Sequence, residues 1–188
     1  MHGSTFFKYE KVIRILVVID SLLPKSVNKR ILIWCRGIKG KLGVVIRYII
    51  LKNVAQGCGK NVIVKEDVFL FSVDKISFGD NVSIHPMCYI DASSGLIIGN
   101  NVAIAHAATI MTTTHTYDDG NIPIKYNQIK GSPVIIEDDV WIACGVRILS
   151  GVHIKSRVII GAGAVVNKKI DGNSIFAGVP AKYIKSII

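Results

Sequence analysis

The stretch 136-IEDDVWIACGVRILSGVHIKSRVIIGAGAVV-166 decides the fold. Ile136, Ile142, Ile148, Ile154, Ile160 and Val166 fall at strict six-residue spacing, and four residues after each stands a second apolar group, Val140, Val146, Val152, Val158, Ala164 and Ile170. An amphipathic helix repeats its apolar positions at three and four residues, and a half-buried strand alternates without a dominant period of six. A hexapeptide period is the signature of a parallel β-helix. Each hexapeptide makes one short flat strand and a turn, with the large aliphatic inward and the smaller residue at the corner. Three such sides close a coil of about 18 residues, and coils stack at about 4.8 Å. No coil buries its apolar face alone, so the core exists only in the stack. A strand-rich sandwich would need every one of these matches to be coincidence.

Outward from this stretch the order loosens in a regular way. Cys58, Val64, Leu70 and Ile76 keep the six-residue step, with Val62 and Val68 at the smaller positions. Phe78, Ile84 and Ile90 resume after a two-residue slip, and Ile98, Ile104 and Ile110 after another. Such slips read as loops pushed out at corners, with Ser93-Ser94-Gly95 as a turn signal. Residues 111–133 break the pattern in a polar run that includes His115, Tyr117, Asp118 and Asp119, until Pro133 restarts it. A long excursion from a regular solenoid is usually functional or mobile. After Val166, Asp171-Gly172-Asn173 turns the chain, and Lys182 to Ile188 reads as a short terminal helix or cap.

Residues 1–55 differ in kind and are read as a basic apolar arm preceding a repeat domain at 56–188. The arm carries eleven Lys and Arg against Glu10 and Asp20, whereas residues 56–188 carry twelve against eleven acids, so almost the whole net charge of +10 sits in the arm. Residues 6–23, 27–36 and 42–52 predict helices, the first stopped or bent by Pro24, although Val44-Val45-Ile46 also suits a strand. A basic arm rich in Ile, Val and Leu fits a membrane surface or anionic partner, and equally a helical cap with solvated lysines. No aromatic stacking series accompanies the charge, which disfavours nucleic acid. No signal peptide and no apolar run long enough to span a bilayer are visible, which reads as cytoplasmic, with peripheral contact on the inner face of the plasma membrane as an option for the arm. Cys35, Cys58, Cys88 and Cys144 have no paired ligand spacing, so neither a zinc site nor a disulfide framework is expected. Cys58 and Cys88, at inward repeat positions, read as small buried hydrophobes.

Ile142-Ala143-Cys144-Gly145, Ile160-Gly161-Ala162-Gly163-Ala164 and Ala177-Gly178-Val179-Pro180-Ala181-Lys182 resemble the hexapeptide-repeat acyltransferases, and within them the sugar and polysaccharide O-acetyltransferases of the galactoside and maltose type. The resemblance covers about residues 56–185. It implies an all-β fold, a left-handed parallel β-helix with acetyl-CoA as acyl donor, a sugar or glycan hydroxyl as acceptor, and a homotrimer with each active site between two subunits. The left hand comes from the resemblance alone, since the general crossover rule favours the right. The basic arm departs from the acidic lead segment of the galactoside type and looks more like acetyltransferases of capsule, O-antigen or exopolysaccharide assembly.

His115 is the leading candidate for chemistry. Acyl transfer from a thioester to a hydroxyl needs a base for the hydroxyl proton, and a neutral imidazole suits that work. Its position in a polar excursion fits a solvent-facing loop histidine equally well; the resemblance adds weight, because the sugar acetyltransferases place their catalytic histidine at this step. Cys144 is a rival nucleophile, but the resemblance gives its corner a small-residue contact with the pantetheine arm. Ala143, Cys144, Gly161 and Ala162 match the small residues along the family's CoA groove, although tight corners also demand Gly and Ala. Asn167 and Lys168 match contact positions of the next coil. Lys182 and Lys185 fall where relatives carry basic groups for the CoA phosphates, with lysine replacing the arginine often found there; solvated surface lysines are the plain alternative. The resemblance puts His85 and Asp91 at or near acceptor-side positions and Trp141 beside the active site, and Tyr117, with Asp118 and Asp119 in the excursion, is a candidate to shape the acceptor pocket; corner, packing and plain loop roles are the alternatives, and His106 is given little or no part. The other functions open to this scaffold are N-acetylation of an amino sugar nucleotide, a metal hydratase and a non-catalytic scaffold. The hydratase needs three histidines converging on zinc, and the spacing of His85, His106 and His115 does not match that pattern.

Overall fold

The computed structural model describes residues 10–187. Phe6, Phe7 and Lys8, at the start of the first expected helix, lie outside them. Three helices come first: α1 (Glu10–Asp20), α2 (Lys25–Trp34), which runs into a 3-10 turn at Cys35–Gly37, and α3 (Gly40–Val54). Val44, Val45 and Ile46 are helical, because one side of α3 packs its Leu51 and Val54 onto the solenoid core. Both α1 and α2 pack against α3, and α3 packs on the first coil. Polar ties hold the three together. Buried Asn28 donates to the carbonyl and the carboxylate of Asp20, both at 3.1 Å, and Asn53 donates to the Val17 carbonyl at 3.1 Å.

From Gly57 the chain winds a parallel β-helix with three faces. The first sheet stacks Gly57–Cys58, Ile76–Phe78, Leu96–Ile98, Val134–Ile136 and His153–Ile154. The second stacks Ile63–Val64, Ser83–Ile84, Ala103–Ile104, Val140–Ile142, Val158–Ile160 and Ser174–Ala177, six parallel strands and hence six coils. The third stacks Phe69–Phe71, Tyr89–Asp91, Thr109–Met111, Arg147–Ile148 and Val165–Val166. The register turns the hexapeptide pattern into ladders. Cys58, Phe78, Ile98, Ile136 and Ile154 align in the first sheet. Val64, Ile84, Ile104, Ile142, Ile160 and Phe176 align in the second, and Leu70, Ile90, Ile110, Ile148 and Val166 in the third. All of these except Cys58 and Leu70, on the first coil, are buried.

The register also explains the slips. Both fall where the third sheet hands over to the first. One is filled by Ser72, at φ 54°, and the 3-10 turn Val73–Lys75; the other by Ser93-Ser94-Gly95, with Gly95 at φ 99°. The next passage of the same corner carries the whole excursion at 111–133. It is an ordered hairpin rather than an irregular loop: Thr113–His115 pairs antiparallel with Ile129–Gly131.

At the corner between the first and second sheets a ladder runs that the apolar spacing did not disclose. The Lys60 N–H donates to Asp80 Oδ1 at 2.7 Å, the Asp80 N–H to Asn100 Oδ1 at 2.8 Å, and the Asn100 N–H to Asp138 Oδ1 at 2.6 Å. Glycine precedes each donor in the first three coils, because the coil above leaves no room. A Cβ on Gly99 would lie 2.3 Å from Asp138 Oδ1 and 2.8 Å from the Glu137 carbonyl carbon.

The far end corrects one expectation. Lys182–Ser186 is a strand, antiparallel to Ser174–Ala177, and not a terminal helix. The last strand of the second sheet would otherwise leave its outer N–H and C=O groups without partners. Ile188 lies outside the described residues.

Candidate active site

His115 ends the first strand of the hairpin, opposite Ile129. The root of this hairpin is fastened from several coils. Thr112 is fully buried; its hydroxyl oxygen accepts the Ser94 N–H at 2.9 Å. Its carbonyl accepts the Ser132 N–H at 3.0 Å and the Ser150 hydroxyl at 2.9 Å. The Ser150 hydroxyl oxygen in turn accepts the Ser132 N–H at 3.0 Å, so one serine holds both ends of the excursion. Thr113 donates to Asp91 Oδ2 at 3.3 Å, and Asp91 Oδ1 accepts from the N–H and hydroxyl of Ser93. Asp91, matched to the acceptor side, therefore also braces the strand that bears His115.

The hairpin tip is built around Asn127, which is buried. Its side-chain oxygen accepts the Asp119 N–H at 3.1 Å, and its amide donates to the Asp119 carbonyl at 3.2 Å. Lys130 pairs with Asp118 at 3.1 Å across the two strands. These bonds shape the segment while Tyr117 and the imidazole of His115 stay exposed. The His115 side chain thus stands on an ordered hairpin and is open to solvent.

A second constellation runs along the corner between the second and third sheets. His85-Pro86-Met87, Ala105-His106-Ala107, Ala143-Cys144-Gly145 and Gly161-Ala162-Gly163 occupy it in successive coils, followed by Ala177-Gly178. Backbone bonds stack them: the Gly145 N–H donates to the His106 carbonyl at 3.0 Å and the Gly163 N–H to the Cys144 carbonyl at 2.9 Å. The turn residues Met87, Ala107, Gly145, Gly163 and Gly178 all have positive φ. Gly161 is confined by its neighbour, since a Cβ there would lie 2.8 Å from the Ala177 Cβ. The column is low-walled, with small side chains on its upper three coils. Arg147 closes one side by donating to the carbonyls of Ala107 and Gly145, both at 2.9 Å. Lower down, desolvation, aided by the charges of Lys65 and His106, holds the His85 imidazole below its ordinary pKa.

Lys182 sits at the top of this column, paired in register with Ala177. Lys185 lies further along the same exposed strand, opposite Ile175. Trp141 stands outward on the second sheet, half exposed, between Ala103 and Ile159. Asn167 and Lys168 are not brought to the column: they follow Val166 at the corner between the third and first sheets. His115, Asp91 and Tyr117 also belong to that other corner. The three histidines of the hydratase reading are thus split, with His85 and His106 in the column and His115 on the hairpin. Cys144 is part of the small-residue column. Desolvation pushes the Cys58 thiol up to about 11 and raises Cys88 as well; Cys88 is buried as expected, whereas Cys58, on the first coil, is only part-buried.

Sequence reading missed Thr112, Ser94, Ser132, Ser150, Asn127 and Arg147. Their partners come from other coils or from across the hairpin, so no local motif announces them.

A solenoid of hexapeptides with a histidine-bearing hairpin at one corner and a column of small residues at another defines a class of transferase. Residues 133–168 match the family model described as bacterial transferase hexapeptide (six repeats). Over 152 residues the chain is 30% identical to the galactoside O-acetyltransferase of Escherichia coli strain K12, a match covering 75% of this chain and 68% of that protein. It is 33% identical over 117 residues to WbbJ of the same strain, provisionally named a lipopolysaccharide biosynthesis O-acetyl transferase, covering 58% of this chain and 60% of WbbJ. A solved galactoside acetyltransferase in complex with coenzyme A superposes with a TM-score of 0.78 at 29% identity, covering 87% of this chain and 81% of that one. The chain belongs to the hexapeptide-repeat acyltransferase family. It spans 53%, 60% and 37% of the length of three such relatives.

Proposed function

We propose that this protein transfers an acetyl group from acetyl-CoA to a hydroxyl of a sugar, in the assembly of a surface glycan. The observation that carries the reading is the division of the site between two corners of one prism. The histidine hairpin leaves the corner between the third and first sheets. The small-residue column, ending at Lys182, fills the corner between the second and third. Pantetheine is a thin extended chain and fits a low-walled column, with the CoA phosphates toward Lys182 and Lys185. A base at a different corner meets that column most simply across a subunit boundary, which supports a homotrimer with each site shared by two copies. The names of galactoside O-acetyltransferase and WbbJ support the sugar acceptor and the glycan context.

In the proposed reaction His115 takes the proton of the acceptor hydroxyl as its oxygen attacks the thioester carbonyl carbon. Negative charge builds on the carbonyl oxygen and is met by a hydrogen-bond donor, most simply a backbone N–H of the column. The C–S bond breaks as the tetrahedral intermediate collapses, and the proton on His115 passes to the departing sulfur. The ester and free CoA thiol leave, with no covalent enzyme intermediate. In this reading His85 would hydrogen-bond an acceptor hydroxyl, and Asp91, through its bond with Thr113, would position the His115 strand.

The test is thiol release from acetyl-CoA with a panel of sugar hydroxyl and amino-sugar acceptors, run for wild type and His115→Ala. Turnover on hydroxyl acceptors that falls by about 10²–10⁴ in the variant supports the reading. Turnover confined to amine acceptors, or unaffected by His115→Ala, overturns it.

A further inference from the structure

Helix α1 is apolar on two sides, and the fold uses only one. Ile13 and Val17 face inward and join the core. Val12, Ile15 and Ile19 follow one another at three and four residues, which places them on one outward stripe of the helix, and Leu22 extends the exposed apolar surface into the turn after it. Ile15 is 61% exposed, Ile19 56% and Leu22 81%. Val18 stands beside them, and Leu23 follows in the turn, both exposed. Trp34, at the end of α2, is 82% exposed. Leaving so many branched aliphatics in water is costly, so the stripe calls for an occupant.

The charge of the arm that carries the stripe identifies it. Lys11, Lys25, Arg30, Lys39 and Lys41 are exposed and make no ion pair among the described residues. The arm has two acids, and both are engaged: Glu10 pairs with Arg14 at 3.1 Å, and Asp20 accepts from Asn28 and Asn53. A second copy docking here would bring a like-charged arm against this one. The β-helix domain, with its nearly balanced charge, offers no acidic surplus to match. An anionic bilayer supplies both halves of the fit: an apolar interior for the stripe and a negative surface for the lysines. The geometry is that of a helix lying on the surface. At eleven residues, α1 is about 16 Å long, and no helix among the described residues is long and apolar enough to cross a membrane.

We propose that the outward face of α1 and the turn after it is a docking surface for an anionic phospholipid bilayer. The proposal stands apart from the transferase reading, since none of its residues belongs to either corner of the candidate site. It would hold the protein beside acceptors that are themselves carried on lipid.

The experiment is co-sedimentation of the full chain with vesicles of phosphatidylcholine alone and with about a third phosphatidylglycerol. Partition into the anionic vesicles is expected to be at least about tenfold stronger, and to weaken as salt is added. Ile15→Ser/Ile19→Ser/Leu22→Ser is expected to lower it by more than about tenfold with unchanged circular dichroism, because these side chains are exposed in the folded protein. Lys11→Gln/Lys25→Gln is expected to lower it about fivefold per charge removed. Equal weak partition into both vesicles overturns the proposal, as does a triple-serine variant that binds like wild type. If wild type ignores vesicles and the triple variant instead loses an oligomer seen by light scattering, the proposal fails and the face belongs to a second copy.

Discussion

Replacing Thr112 with valine tests how the hairpin that bears His115 is held. Valine matches threonine in shape, so the change leaves no cavity. It removes one acceptor, the hydroxyl that takes the Ser94 N–H at 2.9 Å. A buried donor left without a partner costs about 1–3 kcal/mol. The Ser94 N–H is only part-buried, and the two bonds to the Thr112 carbonyl survive, so the expected loss is at the low end, about 1–1.5 kcal/mol. For a chain of this size each kcal/mol moves the melting temperature by about 2–4 °C, which gives a fall of about 2–6 °C. Amide exchange across Thr113–Gly131 should quicken more than exchange in the coils near Ile142. If the root positions His115, kcat for acetyl transfer should drop by at most about tenfold, with KM for acetyl-CoA unchanged. Thr112→Ser keeps the hydroxyl and should retain most of the anchoring and the rate. An unchanged melting temperature together with unchanged hairpin exchange in Thr112→Val would refute this account of the root.

Gly99→Ala should destabilise by about 1–3 kcal/mol, because its Cβ meets backbone of the next coil at 2.8 Å; Gly120→Ala, with nothing within 4 Å, should be neutral, and thermal unfolding of the pair decides. Ile142→Ala, in the fully buried ladder, should cost about 2–5 kcal/mol in denaturant titration. Hydrogen bonds from Ser156 and from His153 hold the Glu137 carboxyl below its ordinary pKa of 4.5. The group is lowered in the fold, so its contribution is present above about pH 4.5 and is lost as pH falls through the lower folded value; Glu137→Gln should flatten that part of the melting temperature against pH. Calorimetric titration with acetyl-CoA should show Lys182→Ala binding several-fold more weakly than wild type, and equal affinities would remove Lys182 from the proposed phosphate contacts.

The galactoside-type resemblance and the apolar period agree because they rest on the same physics. A six-residue step can bury its large aliphatics only by stacking coils, so Ile136 to Val166 settled the architecture before any contact was known. The two-residue slips were legible as corner loops, because a six-residue step resumes unchanged after each and Ser93-Ser94-Gly95 is a turn signal. The terminal segment was legible as a cap but not as a strand, because Lys182–Ser186 has no strong period of its own; it is a strand by virtue of the edge it covers. Two rungs of the Asp80–Asn100–Asp138 ladder stood in the sequence as Gly79-Asp80 and Gly99-Asn100, yet apolar spacing is blind to polar contacts between coils.

For the candidate site, the sequence by itself determined the parts: a histidine in a polar excursion, small residues at coil corners, lysines near the end, and a basic apolar arm. These are local chemistry, and local chemistry is written residue by residue. Only the tertiary structure decided which parts share a corner. It joined His85, His106, Cys144 and Ala162 in one column, left His115 and Lys168 at another corner, and tied the hairpin root through Ser94 and Ser150. It also decided which apolar residues of α1 are spent on the core and which remain outside. The reason is the winding of the chain: neighbours in a β-helix are about one coil apart in sequence, and a coil that carries an excursion shifts that separation. The contact between Thr112 and Ser150 exists only because the excursion closes on itself, and no stretch of sequence read on its own contains it.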